Sequence, residues 1–331
     1  ILSDHFLCLI FNWSRTETHL FTILAMKSFT IRLLVFLIPV FFTALIMEVL
    51  LRAIPNDYRN KREYLDMHSD SIEVLILGDS HTEFAINPEY LSRRAYNTAF
   101  PSQSLNYDLE ILKRYEADWS RLKFIIVSIS YGTLFDRLDK SIERWRISQY
   151  LIYYKLKTSR YLPYYTEILS SPFNLNLYRI FLFYIKRINS LKCTTMGWNY
   201  TYSVTTKTDE EITNTGEIHA SISTLQSGKY FNEMVSILDS IIAFTQEYDI
   251  TLVLMTTPVH NSYRAHLNED QWNKTVETVN AMSSVHENCI YYNMLDDQTF
   301  TISDYFDADH LNAAVTKKVT MRLDSLISAL D

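Results

Sequence analysis

Glu73-Val74-Leu75-Ile76-Leu77-Gly78-Asp79-Ser80-His81 decides how this chain folds. The apolar run 73–77 stops at a glycine, as a short strand buried on both faces of a parallel sheet does. Similar runs recur downstream. Tyr96-Asn97 closes a second short strand, 124–129 (FIIVSI) forms a third, 251–255 (TLVLM) a fourth ended by Pro258, and 289–292 (CIYY) a fifth. Between them, 105–115, 230–248, 268–283 and 311–330 carry apolar residues at helical spacing. Strands alternating with helices predict an α/β domain over 73–331, a doubly wound sheet with helices on both faces.

The alternation breaks between 133 and 225. This stretch is rich in tyrosine, leucine and arginine, with helical patterns near 141–157 and 174–189, and a polar segment, 194–216, that reads as loop. It is expected to be a helical insertion covering one end of the sheet, where α/β proteins bind ligands, or to serve packing alone.

Upstream, 33–51 (LLVFLIPVFFTALIMEVLL) contains one charge, Glu48. About 20 apolar residues cross a bilayer as a helix, and Pro39 is tolerable there. A single transmembrane anchor is expected over 29–52. No small-x-small cleavage site follows it, which favours an uncleaved anchor over a removed signal peptide. Residues 53–72 read as a charged linker, and 1–28 as an extension or loosely ordered tail, with Met26-Lys27 resembling a natural start. Lys27 and Arg32 precede the span and Arg52, Arg59, Lys61 and Arg62 follow it, so the basic residues do not favour an exported carboxyl domain. An external domain is nevertheless expected, because short amino-terminal anchors commonly carry one.

The 331 residues include 47% hydrophobic and 21% charged side chains, which excludes a disordered chain. A net charge of −7 argues against nucleic acid as a partner. Cys8, Cys193 and Cys289 are too scattered for a disulfide framework or a zinc site. No Gly-x-Gly-x-x-Gly or phosphate-binding loop occurs, and Asp304, Asp307 and Asp309 lack the glycine and distal glutamate of a calcium loop. Neither cofactor nor metal is expected. Asn199-Tyr200-Thr201 matches a glycosylation acceptor pattern, which chance produces often.

Gly78-Asp79-Ser80-His81 places a serine on the turn leaving the first strand, exposed to a crevice. Alone, such a tripeptide is ordinary turn chemistry. Near the carboxyl end stands Phe306-Asp307-Ala308-Asp309-His310-Leu311-Asn312. A histidine there can accept the serine proton while a carboxylate holds its other nitrogen; helix-start capping by Asp309 competes with that reading. His81, beside the serine, and His260, after the fourth strand, are candidates to touch substrate.

Together the two blocks resemble the SGNH (GDSL-type) hydrolase superfamily, whose serine follows strand one in a Gly-Asp-Ser block and whose Asp-x-x-His block precedes the last helix. The resemblance spans roughly 73–331, apart from the insertion. It implies a flavodoxin-like three-layer sandwich, Ser80 as nucleophile, His310 as base and Asp307 as orienting acid. Family members also use a glycine and an asparagine from two further blocks as oxyanion donors, beside the serine N–H. Here Ser102 stands where that glycine would be, and Ser130-Tyr131-Gly132-Thr133 has no asparagine. The donor candidates are therefore Ser80, Ser102, Tyr131 and Asn97. The departure resembles divergent membrane-anchored bacterial members, some linked to acylation of envelope polymers. The resemblance thus implies esterase or O-acyltransferase chemistry on an acylated glycan or polymer, with the domain outside the bacterial cytoplasmic membrane. The alternative is an inactive domain that binds glycan or assembles an envelope complex.

Overall fold

The apolar runs pair side by side in one parallel sheet. The computed structural model describes residues 2–203, 207–224 and 228–330, with side chains from 26 onward. Its strands are β1 (Val74–Leu77), β2 (Ala95–Asn97), β3 (Phe124–Ser128), β4 (Thr251–Thr256) and β5 (Cys289–Asn293). They lie in the order β2-β1-β3-β4-β5, all parallel. The register sets Leu75 against Ile125, Ile125 against Leu252 and Leu252 against Cys289.

The longer helices, in chain order, are α1 (Leu2–Ala53), α2 (Asp57–His68), α3 (Ser80–Ala85), α4 (Leu105–Arg114), α5 (Phe173–Ile180), α6 (Asp209–Ser223), α7 (Phe231–Glu247), α8 (Glu269–Val285) and α9 (Thr316–Ala329). Side chains alternate across each strand, so each face of the sheet builds its own core. Leu75, Leu77, Ile125, Val127, Leu252 and Leu254 pack with Leu65 of α2, Ile111 of α4, Leu238 and Ile241 of α7 and Val279 of α8. Val74, Ile76, Ile126, Val253 and Met255 pack with Ala85 of α3, Ile212 of α6 and Val319, Leu323 and Ile327 of α9. The result is the expected three-layer α/β arrangement. Its order reverses at β1 and β3, where such sheets open a crevice beyond their carboxyl ends.

The chain divides into two units. One contains α1 with Glu167–Arg187, the other Pro55–Thr166 with Ile188–Asp331. In the first, Met26–Ala53 is long and apolar enough to cross a membrane. Glu48 accepts the N–H groups of Glu167 and Ile168, each at 3.1 Å, and pairs with Arg52 at 2.6 Å. The only charge in the apolar run therefore caps the short helix Glu167–Ser170.

Four expectations need correction. Residues 53–72 are not an extended linker: α2 occupies most of them, capped by Asn56, and buries Tyr58, Lys61 and Leu65. The backbone of 2–25 continues α1 rather than forming a loose tail. The segment read as loop over 194–216 holds the start of α6, where Thr208 and Glu211 form a capping box. The single helix expected near 141–157 is broken into 3-10, α and π turns.

Candidate active site

Each residue of the Gly-Asp-Ser block has a local reason. Gly78 has φ +108°, and a Cβ there would lie 2.5 Å from the Ser128 Cβ, so only glycine lets β1 turn beside β3. Asp79 caps α3 by accepting the His81 N–H at 3.0 Å. It also accepts the Ser128 hydroxyl at 2.7 Å and the Ser130 hydroxyl at 2.6 Å, tying the turn to the end of β3. Burial pushes Asp79 upward, but His81 and the two hydroxyls outweigh it and hold the carboxyl well below its usual range. Ser80 follows as the first residue of α3.

The Asp-x-x-His block comes to meet it. Residues 306–315 fold back before α9 begins, with the Phe306 N–H on the His310 carbonyl at 2.9 Å and the Asn312 N–H on the Asp304 carbonyl at 2.9 Å. His310 therefore sits on a returning turn and not at a helix start. Its Nε2 lies 2.8 Å from Ser80 Oγ. Its Nδ1 lies 2.9 Å from Asp307 Oδ1 and 3.1 Å from Asp309 Oδ1. Asp307 also accepts the His310 backbone N–H at 2.9 Å, which fixes the carboxylate against the ring. Burial lowers the His310 pKa, but Asp309 and Asp307 overcome it, and the imidazole is held well above its ordinary value.

Sequence reasoning missed His219. It projects from α6, hydrogen-bonds Asp309 through Nδ1, and so places the insertion's helix against the site. The hydrogen bond to Asp309 raises its pKa. The ligand atoms of His219, Asp307, Asp309 and His310 lie within 4.8 Å of one another, close enough to share a cation. Doing so would break the Asp–His hydrogen bonds just described.

His81 reaches the site: its ring lies 4.9 Å from that of His310, and its Nδ1 contacts Asp79 at 3.0 Å. His260 does not. It caps the turn Asn261–Arg264, contacts the Ser262 hydroxyl at 2.9 Å, and lines neither cavity beside Ser80. Two donor candidates are also engaged elsewhere. The Asn97 amide is buried and donates to the carbonyls of Thr82 and Ile86, both at 2.9 Å. The Tyr131 hydroxyl is tied to Thr224 and to the Asn268 N–H, both at 2.9 Å.

Ser80, Ser102 and Gly132 line a cavity of about 150 Å³ beside the serine. Among the described residues, nothing accepts from the backbone N–H of these three. Ser102 has φ +57°, a left-handed conformation that glycine adopts without cost. That explains on physical grounds why a glycine would suit its place.

No protein-family model matches the chain, and no curated protein does. A solved structure from Streptococcus pneumonia, provisionally described as a platelet activating factor, aligns with 88% of this chain and 97% of its own at 13% identity and a TM-score of 0.41. A likeness at that level fixes no activity for this chain.

Proposed function

We propose that the chain is a membrane-anchored, SGNH-like serine esterase or O-acyltransferase. The observation that carries this reading is the continuous line from Ser80 Oγ through His310 to Asp307, two contacts of 2.8 and 2.9 Å. Ser80 attacks the ester carbonyl as His310 Nε2 takes its proton. Asp307 holds the ring and offsets the charge of the imidazolium. The backbone N–H groups of Ser80, Ser102 and Gly132 receive the oxyanion, the third replacing the family's asparagine. His310 then protonates the departing alcohol, and the C–O bond breaks to leave an acyl-serine. Water or an acceptor hydroxyl, deprotonated by His310, resolves it. The supporting resemblance points to acylated envelope glycans or polymers, with the domain outside the bacterial cytoplasmic membrane and Met26–Ala53 as the single span.

A second reading, glycan binding or complex assembly without turnover, draws on the residues lining the smaller cavity, which include no asparagine. Loss of one oxyanion donor costs about 2.7–4 kcal/mol of transition-state stabilisation. A fluorophosphonate probe separates the two. The full chain should label covalently and Ser80→Ala should not, with ester turnover falling by at least ~10³-fold. A folded wild type that never labels would favour the second reading.

A further inference from the structure

Residues 168–185 contain one charge, Arg179, and are otherwise mostly apolar. The short helix Glu167–Ser170 and α5, which runs on as a π turn over Phe181–Ile185, belong to the same compact unit as α1. Along α5 and its π turn the buried and half-buried positions are 176, 179, 180, 183 and 184. They recur at i, i+3, i+4, i+7 and i+8, the spacing of one helical side. That inward side is tied down. The Asn176 amide donates to the carbonyls of Glu167, Ile168 and Ser171 at 3.4, 3.3 and 3.2 Å. Arg179 pairs with the buried Glu167 at 2.7 Å, and the Tyr184 hydroxyl donates to the Leu50 carbonyl at 3.1 Å.

The outward side carries Phe173, Leu177, Tyr178, Phe181 and Ile185, and Leu169 on the preceding helix is open as well. Each of these six is 42–68% exposed, with no charged side chain among them. Single apolar residues at a surface are ordinary, but a contiguous row calls for a cover.

Where the row lies decides the cover. The segment meets α1 at Glu48, which accepts the Glu167 and Ile168 N–H groups, and at Leu50. Both stand within five residues of the end of Met26–Ala53, a rise of about 8 Å. A helix of 28 residues rises about 42 Å, so one that crosses a hydrocarbon core of about 30 Å extends about 6 Å beyond it on each side. Residues 48–50 of such a helix fall at the boundary between acyl chains and headgroups. Ile46 and Val49, at the same level of α1, are each 59% exposed and need the same cover. Lys186 and Arg187 end the apolar row with positive charge, which suits anionic headgroups. α5 and its π turn, 8 and 5 residues long, rise about 20 Å together, too short to cross.

We propose that 169–185 is a second membrane-contacting element, which lies at the headgroup boundary without crossing and sets Phe173, Leu177, Phe181 and Ile185 among the acyl chains. This rests on the reading of Met26–Ala53 as the span. The occupant of the exposed row is the bilayer.

The test uses the full chain in vesicles of phosphatidylcholine and phosphatidylglycerol. The photoreactive residue p-benzoylphenylalanine is placed singly at Phe36 in mid-span, at Phe173 and Phe181 on the outward side, and at Phe183 on the inward side. After illumination, covalent lipid adducts are read by intact mass. Lipid should couple at Phe36, Phe173 and Phe181, and the adduct should be lost at Phe183. Coupling at Phe36 but not at Phe173 and Phe181 overturns the proposal and leaves the span standing, as does coupling of those two positions to a second copy of the chain. Equal lipid coupling at Phe183 overturns the assignment of the outward side. Lipid at Phe173 and Phe181 but not at Phe36 sinks the reading of the span while the contact of 169–185 stands; no lipid at any position sinks both. Tyr178, exposed on the same side, takes the probe if Phe173 or Phe181 does not tolerate it.

Discussion

Two carboxylates share one imidazole nitrogen at His310. Burial would discharge the ring, yet Asp309 and Asp307 keep its pKa well above the ordinary value. A base must be neutral to take the serine proton, so kcat/KM should rise with pH as His310 loses its proton. Asp309→Asn removes the first of the two raising charges and leaves Asp307 in place. The acid limb of the pH–rate profile should therefore move to lower pH, and a limb that stays put would deny Asp309 any hold on the base. Asp307→Asn should move that limb to lower pH as well, and in addition lower kcat on the plateau by about 10⁴-fold, because the ring loses its oriented tautomer. The Asp307–His310 pair is readable from sequence because its members stand three positions apart on one turn. The Asp309–His219 contact spans 90 positions and depends on where α6 docks. The Thr208–Glu211 capping box, a signature of helix starts, would have exposed that helix in the polar stretch. Ser102 shows the opposite case: the resemblance locates it, and its left-handed φ supplies the physical reason.

The turn after β1 is braced from α4. Asp108 accepts the Gly78 N–H at 2.9 Å and the Gln103 amide at 2.6 Å, and Tyr150 donates to Gln103 at 2.7 Å. Burial pushes the Asp108 pKa up to about 7 from its ordinary 3.8, against the pull of Gln103 and Gly78. The folded state thus holds a proton that the unfolded chain releases near pH 4. Stability should fall as pH rises from about 4 to 7, and level off once both states are ionised. Asp108→Asn keeps the shape without the titration. The difference in unfolding free energy between wild type and this variant, from denaturant titrations, should change steeply over that window. A pH-independent difference would mean that the carboxyl is ionised throughout. At this scale β1, β3 and β4 were legible because apolar runs of four to six residues, buried on both faces, leave little alternative in an α/β pattern. The broken turns near 141–157 were not: Tyr150 and Tyr154 are buried and tied to Gln103 and Thr98, and those distant partners override the local helical spacing. α2 was misread because its charged composition hides a narrow buried stripe of Tyr58, Lys61 and Leu65.

Met26–Ala53 is long and apolar enough to cross a membrane. Its 28 residues extend about 42 Å as a helix, against about 30 Å for the hydrocarbon core of a bilayer. Phe29, Val35, Phe36 and Phe41 each keep about two-thirds of their surface exposed within the protein. A core helix would bury such side chains, so lipid is the medium that suits them. Arg52 lies at the end of this helix and pairs with Glu48 at 2.6 Å. Charge contributes little to such an attachment, since the apolar surface supplies the free energy. Expressed as the full chain, the protein should therefore stay with membranes through washes in high salt and in alkaline carbonate, and leave only with detergent. Release by salt would mean a peripheral attachment through charge. Release by carbonate without detergent would mean that the helix does not cross the bilayer.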